Sequence, residues 1–485
     1  MRKETTLKKN YIYNSIYQIV SIFTPLLTTP YLSRTIGADG LGQYSFVYSV
    51  AYYFMLFIKL GVHYYGNRTI AAVRDNEHKL SLEFWSIYLF QLSMGIIYTI
   101  IYAFYSVVLA RNLVFSLLMI FYVISAGIDI TWFFQGLEEF RIIVTRDMFI
   151  KILSVVCTVA MVKNTEDIWI YILIRSCEFF IGQICVWPLI NRYVCWIKPT
   201  IYDIRKHIVP NLVFFIPAIA VSLFKTMDKI MLGLMSNATE LGYYHNSENI
   251  VQVPMVFITS LGTVMMPRIT NMLSNGKEES IVNNIFKKSI ITVMLISTLT
   301  CFGIMSVAKQ FVPIFYGDGF DKCIKLYYIL LPSCIFLAFA NVIRTQYLIP
   351  YHKEKIYIIA LFFAAIVNLI SNWLLIPKYQ SIGAAIGTLL AECCVCTVQA
   401  IMVWKKLNML HSIADTFLFV IIGGLMFTIF CNMEMSRFSS LQGLFVKILI
   451  CGLFYSIALG SICIMFFVGY RNGDKNKKIK EWEKL

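Results

Sequence analysis

The 485-residue sequence predicts an all-α integral membrane protein of about fourteen transmembrane helices. Three observations predict it. Hydrophobic residues make up 58% of the chain and charged residues 14%, with a mean hydropathy of +0.70, whereas a soluble protein of this size needs far more polar surface. Apolar runs of about 20 residues, enough to cross a ~30 Å hydrocarbon core, recur from end to end. The runs are continuous and not alternating, which specifies helices rather than a barrel.

The first run follows "MRKETTLKKN" and extends from near Tyr11 to Ile36. It is too long for the apolar part of a signal peptide and lacks a small-residue cleavage site, so it reads as a retained first span. Further spans centre near Phe54, Met94, Tyr122, Leu153 and Ile181, then near Val221, Phe257, Thr300, Leu337, Val367 and Leu390. The last two centre near Ile422 and Ser456. An even number of crossings puts both termini on one side. With the N-terminus in the cytoplasm, inner segments hold 27 Lys and Arg residues and outer loops about 7, the asymmetry of a cytoplasmic membrane protein with both ends inside.

The formal charge of +15 is therefore topogenic and does not indicate a nucleic-acid partner. The basic tail "RNGDKNKKIKEWEKL" faces anionic membrane lipid or solvent. Connections are short, which excludes a sizeable soluble catalytic domain. Most cysteines fall inside apolar runs, where they act as small hydrophobes. The single C-x-x-C in "CCVC" (393–396) has no second pair and no nearby His, so neither a metal nor a cofactor is expected.

An internal repeat divides the chain. "IGADGLGQY" joins spans 1 and 2 and "SNATELGYY" joins spans 7 and 8; both contain L-G-x-Y, at 41–44 and 241–244. Each follows a span with prolines, Pro25 and Pro30 in one and Pro210 and Pro217 in the other. Gln135 and Gln346, and Glu178 and Glu392, are further weak matches. Spans 1–6 (1–206) and spans 7–12 (207–408) thus read as two six-helix lobes in parallel repeat. Two extra helices follow (409–470), then the basic cytoplasmic tail (471–485). Parallel repeats are a transporter signature, with the substrate in a central cavity between bundles.

The segments "PYLSRTIGADGLGQYSFVYSV", "DITWFFQGLEEF" (129–140), "MDKIMLG" (227–233), "MMPRIT" (265–270), "FYGDGF" (315–320) and "IGAAIGTLLAE" (382–392) occur in that order. The ordered set resembles the bacterial polysaccharide flippases, the Wzx-type carriers of O-antigen or capsule repeat units in the MATE-related MOP superfamily. That resemblance implies alternating access and a substrate of oligosaccharide on undecaprenyl pyrophosphate, moved from the inner to the outer leaflet. A polysaccharide polymerase is a candidate partner, and H⁺ or Na⁺ a candidate coupling ion.

Moving a lipid pyrophosphate through a membrane needs cations that replace water around the phosphates. Candidates within or at the ends of spans are Arg34, Lys59, Arg175, Lys225, Lys229 and Arg344. Arg175 lies about 10 Å in from the outer end of span 6, with Glu178 three residues on and on the same face. In "SLFKTMDKIMLG" (222–233), Lys225, Asp228 and Lys229 share one stripe of span 7. Lys225 either pairs with Asp228 or faces the cavity with Asp228 tuning it. Lys229 is near enough to the outer interface to snorkel. The buried acids Asp129, Glu178 and Glu392 are candidates for ion coupling, each with the alternative of neutralising a neighbouring cation. Asn368 and Asn372, four apart in span 11, either meet sugar hydroxyls or pack between helices. Alternative classes are a MATE-like exporter of organic cations, whose cavity is expected to be acidic, and a peptidoglycan-precursor flippase. A membrane glycosyltransferase or polymerase lacks its expected large outer loop or acidic motif here, so no enzyme is expected.

Overall fold

A computed structural model describes residues 20, 24–275, 279–404, 406–407, 409–433 and 440–482. The basic segment 1–10, the start of the first predicted span and residues 483–485 lie outside the described residues, as do the side chains of the rest of the basic tail.

Every predicted span centre falls in a helix. The first helix, α1, is described over residues 24–35, and α2 (Gly37–Lys59) follows it almost without a break. Then come α3 (Val62–Val73), α4 (Glu77–Val108), α5 (Leu113–Leu118), α6 (Ile120–Gly127), α7 (Thr131–Gly136), α8 (Phe140–Met161), α9 (Ile168–Ile184) and α10 (Ile201–Arg205). The second half comprises α11 (Ile208–Met235), α12 (Ala238–Ser274), α13 (Glu279–Tyr316), α14 (Lys322–Ile343), α15 (Glu354–Tyr379), α16 (Ser381–Val403), α17 (Met409–Phe430) and α18 (Ser440–Trp482). Eleven stretches are long and apolar enough to cross a membrane among the described residues. Three predicted spans fall outside that set for simple reasons. α1 is only partly described, α17 has an apolar stretch of Thr416–Phe430, and α8 carries Arg141, Arg146, Asp147 and Lys151 along its length.

Side-chain chemistry sets the helix starts. Asn76 accepts from the Lys79 N–H at 3.0 Å and Asn112 from the Phe115 N–H at 3.1 Å, each opening a helix after a short loop. Thr200 and Asp203 form a capping box at α10. Large side chains such as Ile100, Phe104 and Val107 of α4 are exposed, as expected of surfaces in contact with lipid.

Two compact contact units emerge. The first holds residues up to Ile250 together with Leu361–Gly387; the second holds Val251–Ala360 and Thr388 onward. Within the first, one core gathers Leu32, Tyr44, Ile58, Tyr102 and Tyr122, and another gathers Phe84, Trp132, Phe133 and Phe134. Within the second, α13 packs on α14 and α17, and Ile422, Met426, Cys451 and Tyr455 form a core beside Phe302. The described cysteines are all free, including the three of the C-x-x-C region.

Two features of the first unit position its charged groups. Span 2 breaks at Leu60 and Gly61, with φ of 38° and 85°. A methyl group at Gly61 would lie 2.6 Å from the Asn211 carbonyl oxygen of α11, so backbone conformation and close approach both require glycine. The second feature is the meeting of the two L-G-x-Y hairpins. A methyl group on Gly42 would lie 1.7 Å from the Ala238 carbonyl oxygen, and one on Gly242 would lie 1.8 Å from that of Ala38. Thr239 Oγ1 donates to Asp39 at 3.3 Å, and Ser45 Oγ lies 3.3 Å from His245 Nδ1. Reciprocal contacts of this kind are what a local two-fold relation between equivalent segments produces.

Candidate functional site

Lys59, the last residue of α2, pairs with Asp129 at 2.6 Å. Asp129 sits in the break between α6 and α7, only 4% exposed, and its other oxygen accepts from the Thr131 N–H at 2.8 Å and the Thr131 hydroxyl at 2.6 Å. The break frees backbone carbonyls, and Gln91 satisfies them: its Nε2 donates to the Ala126 and Asp129 carbonyl oxygens. Trp132 Nε1 donates back to Gln91 Oε1 at 3.0 Å. The carboxylate is thus held by a cation and two neutral donors inside a membrane span.

Further along the same unit, Arg175 of α9 pairs with Glu178, as the i,i+3 spacing predicts. Its guanidinium also donates to the Tyr44 hydroxyl at 3.4 Å and lies 5.7 Å from the Phe179 ring centroid. Tyr44 stands edge-on to His245, whose Nε2 is 3.4 Å from Asn249 Nδ2. Lys229 of α11 pairs with Glu248 of α12 at 2.6 Å.

The stripe of Lys225, Asp228 and Lys229 therefore divides. Lys225 is exposed and has no ion-pair or hydrogen-bond partner among the described residues. The predicted alternative of a Lys225–Asp228 ion pair is not formed. Asp228, 2% exposed, instead accepts from the Tyr244 hydroxyl at 2.8 Å and from Asn372 Nδ2 at 2.6 Å. Asn372 also donates to Asn368 Oδ1 at 3.1 Å, so the two asparagines predicted to share a face do meet, in packing around Asp228. A buried carboxylate with neutral donors gains hydrogen bonds without needing Lys225, which leaves that lysine to its surroundings.

Three candidates remain. Arg34 is exposed at the end of α1 and donates to the Pro30 carbonyl at 2.7 Å. Arg344, in the second unit, begins a π-turn (Arg344–Leu348) in which Ile349 N–H reaches back to its carbonyl. Its guanidinium donates to Asn341 Oδ1 at 2.6 Å and to the Tyr357 hydroxyl at 3.1 Å. Glu392 is buried in the second unit.

A cavity of about 290 Å³ inside the first unit brings three of the candidates together: Lys59, Asp129 and Glu178 line it. It adds His63, Arg146, Asp147, Lys151 and Gln183, which sequence reasoning did not single out, and Gln135, which it noted only as a repeat match to Gln346. For Arg146, Asp147 and Lys151 the signal was present in α8, where they sit at i, i+1 and i+5 in a largely apolar segment. Tyr44 belonged to the repeated L-G-x-Y motif, yet nothing in the motif said that it would touch Arg175.

The sequence profile of the polysaccharide biosynthesis protein family matches residues 7–273, more than half of the chain. The chain belongs to that family. The profile of the lipid II flippase MurJ matches residues 195–453 of the same chain. Among curated proteins, a putative O-antigen transporter of Escherichia coli (strain K12) is 24% identical over 404 residues, 82% of this chain and 97% of the relative. A probable low-salt glycan biosynthesis flippase of Haloferax volcanii is 23% identical over 168 residues, 35% of each chain. Among solved structures, lipid II flippase MurJ in an inward closed conformation superimposes with a TM-score of 0.72 at 15% identity, covering 95% of this chain and 99% of that one. An inward-facing multidrug resistance MATE transporter of the MOP superfamily gives a TM-score of 0.59 at 10% identity over 81% and 95%. The chain thus has the MOP transporter fold. This member of the polysaccharide biosynthesis protein family is a multi-pass membrane protein with the fold of the MurJ and MATE transporters.

Proposed function

We propose that this family member flips undecaprenyl-pyrophosphate-linked oligosaccharide repeat units from the inner to the outer leaflet of a bacterial cytoplasmic membrane by alternating access. The observation that carries the reading is the set of ion-paired cations within membrane-spanning helices: Lys59–Asp129, Arg175–Glu178 and Lys229–Glu248. Charges in a span are expensive, and pairing alone gives no reason to retain them, since apolar replacements are often as stable. Their use is exchange. Phosphate oxygens arriving at Arg175 or Lys229 replace a carboxylate oxygen, so the cation keeps a partner at each stage and the displaced acid is free to take up a coupling H⁺ or Na⁺. Lys225, exposed one turn from Lys229, supplies a further cation. Asp129, Glu178 and Glu392 are the proposed coupling acids. The names of the curated relatives support a glycan cargo.

Arg175→Ala tests the reading in a host whose surface glycan depends on this protein. The expected outcome is loss of surface glycan with normal amounts of protein in the membrane, and partial export with Arg175→Lys, which keeps the charge without the bidentate fork. Full export by the alanine variant removes Arg175 from the site. A second reading, that the cargo is a peptidoglycan precursor, is favoured by the MurJ profile over residues 195–453. Rescue of growth in cells depleted of their own lipid II flippase distinguishes the two.

A further inference from the structure

We infer that the cavity in the first unit is a subsite for an uncharged sugar ring of the cargo, read by the amides of Gln135 and Gln183 and the carboxylate of Asp147. The inference rests on the flippase reading above and assigns the sugar and the phosphates to different places. At about 290 Å³ the cavity is at the lower end of small-molecule sites, room for a sugar next to the carrier and not for a whole repeat unit.

Among the charged residues that line it, Lys59, Asp129, Arg146, Asp147 and Glu178 have charged partners, and Lys151 adds a further cation. Lys59 is tied to Asp129 at 2.6 Å, and Arg146 donates twice to one oxygen of Asp147, from Nε at 2.9 Å and a terminal nitrogen at 2.6 Å. Arg146 also donates to Gln183 Oε1 at 3.4 Å. What is left over is a mixture of donors and acceptors. Among the described residues, Asp147 Oδ2 and Gln183 Nε2 have no hydrogen-bond partner, and neither does the Gln135 amide. An ionised phosphate only accepts, so it cannot satisfy Asp147 Oδ2, whereas a sugar hydroxyl both donates and accepts. Phe179 supplies an apolar wall for the C–H face of a ring.

The experiment is equilibrium binding to the full chain in nanodiscs, with two probes: bare undecaprenyl pyrophosphate, and the same lipid carrying one N-acetylhexosamine. Wild type is expected to bind the sugar-bearing lipid more tightly. Gln135→Leu/Gln183→Leu is expected to weaken the sugar-bearing lipid about tenfold, as for the loss of one or two neutral hydrogen bonds, and to leave the bare lipid unchanged. Gly182→Leu fills the cavity without removing a polar group and should do the same, since a methyl there meets only Ile150 Cδ1, at an ordinary 3.6 Å. Equal losses on both lipids, or no loss on the sugar-bearing one, overturn the inference. Wild type that binds the bare lipid but gains nothing from the sugar overturns the subsite alone. Wild type that binds neither overturns the flippase reading as well.

Discussion

Asp228 and Lys225 show how far a single residue's role depends on partners that spacing does not reveal. Their positions on one helical stripe predicted either a pair or a tuned cation, and the fold gave Asp228 to Tyr244 and Asn372 instead. Lys225→Ala should therefore reach the membrane in normal amounts and melt at the wild-type temperature in detergent, with glycan export reduced. Asp228→Ala should lower the melting temperature, because two buried donors lose their acceptor at about 1–3 kcal/mol each. Adding Lys225→Ala should not restore it; recovery in the double variant would revive the discarded ion pair. The opposite pattern is expected at Lys59. Lys59→Ala leaves a buried carboxylate without its cation, a loss below the ~3–5 kcal/mol of a fully buried pair because Lys59 keeps 29% of its side-chain surface. Lys59→Met/Asp129→Asn should recover most of it, since asparagine still accepts from Thr131 and no charge remains. Thermal melts of the two variants side by side decide this. The Arg175–Glu178 pair was legible in the sequence because three residues on one helix fix a distance. Lys59–Asp129 and Lys229–Glu248 join different elements, where no local rule operates.

At the scale of elements, hydropathy located the apolar helices and missed what interrupts them. Span 2 stops at Leu60 because Gly61 has a positive φ and faces the Asn211 carbonyl, and that stop places Lys59 opposite Asp129. Span 4 breaks around Asp129 with Gln91 holding the freed carbonyls, an arrangement tolerated in a membrane because those groups are satisfied within protein. The repeated L-G-x-Y was visible as a motif, but its reason is steric and reciprocal. Gly42→Ala and Gly242→Ala should each lower the melting temperature, and by similar amounts, because either methyl group meets a carbonyl oxygen well inside contact distance. Gly303, where a methyl meets nothing within 4 Å, is the matched control: Gly303→Ala should be neutral or slightly stabilising. A loss at Gly303 equal to that at Gly42 would mean that general helix effects, not close approach, set the result.

For the whole molecule, the prediction concerns orientation, which rests on the 27-to-7 distribution of basic residues. Asn237 is exposed in the hairpin between α11 and α12, and Tyr202 is exposed on α10. In a background without accessible native thiols, Asn237→Cys should react with an impermeant thiol reagent added to intact cells, and Tyr202→Cys only after the membrane is opened. Cys185 and Cys195 are exposed and must be replaced first. The reverse labelling pattern would overturn the orientation and with it the direction of transport.

The sequence by itself determined that the chain is helical and crosses a membrane many times, because the bilayer accepts few other ways of satisfying a backbone and leaves a long apolar signature of each crossing. It also carried enough ordered motifs to resemble the family to which the chain belongs. Tertiary structure alone decided which charges became partners, which glycines became contact points, and which polar groups share a cavity. Span-length signals are local, read over about 20 consecutive residues, whereas Lys59 meets Asp129 and Gly42 meets Ala238 only after helices far apart in the chain have packed. Arg146, Asp147 and Gln183 illustrate the difference most plainly. As sequence they are charges at the start of one apolar helix and a glutamine at the end of the next. Folded, they line the same 290 Å³ as Lys59 and Glu178, because α8 and α9 pack side by side and turn those ends toward one cavity.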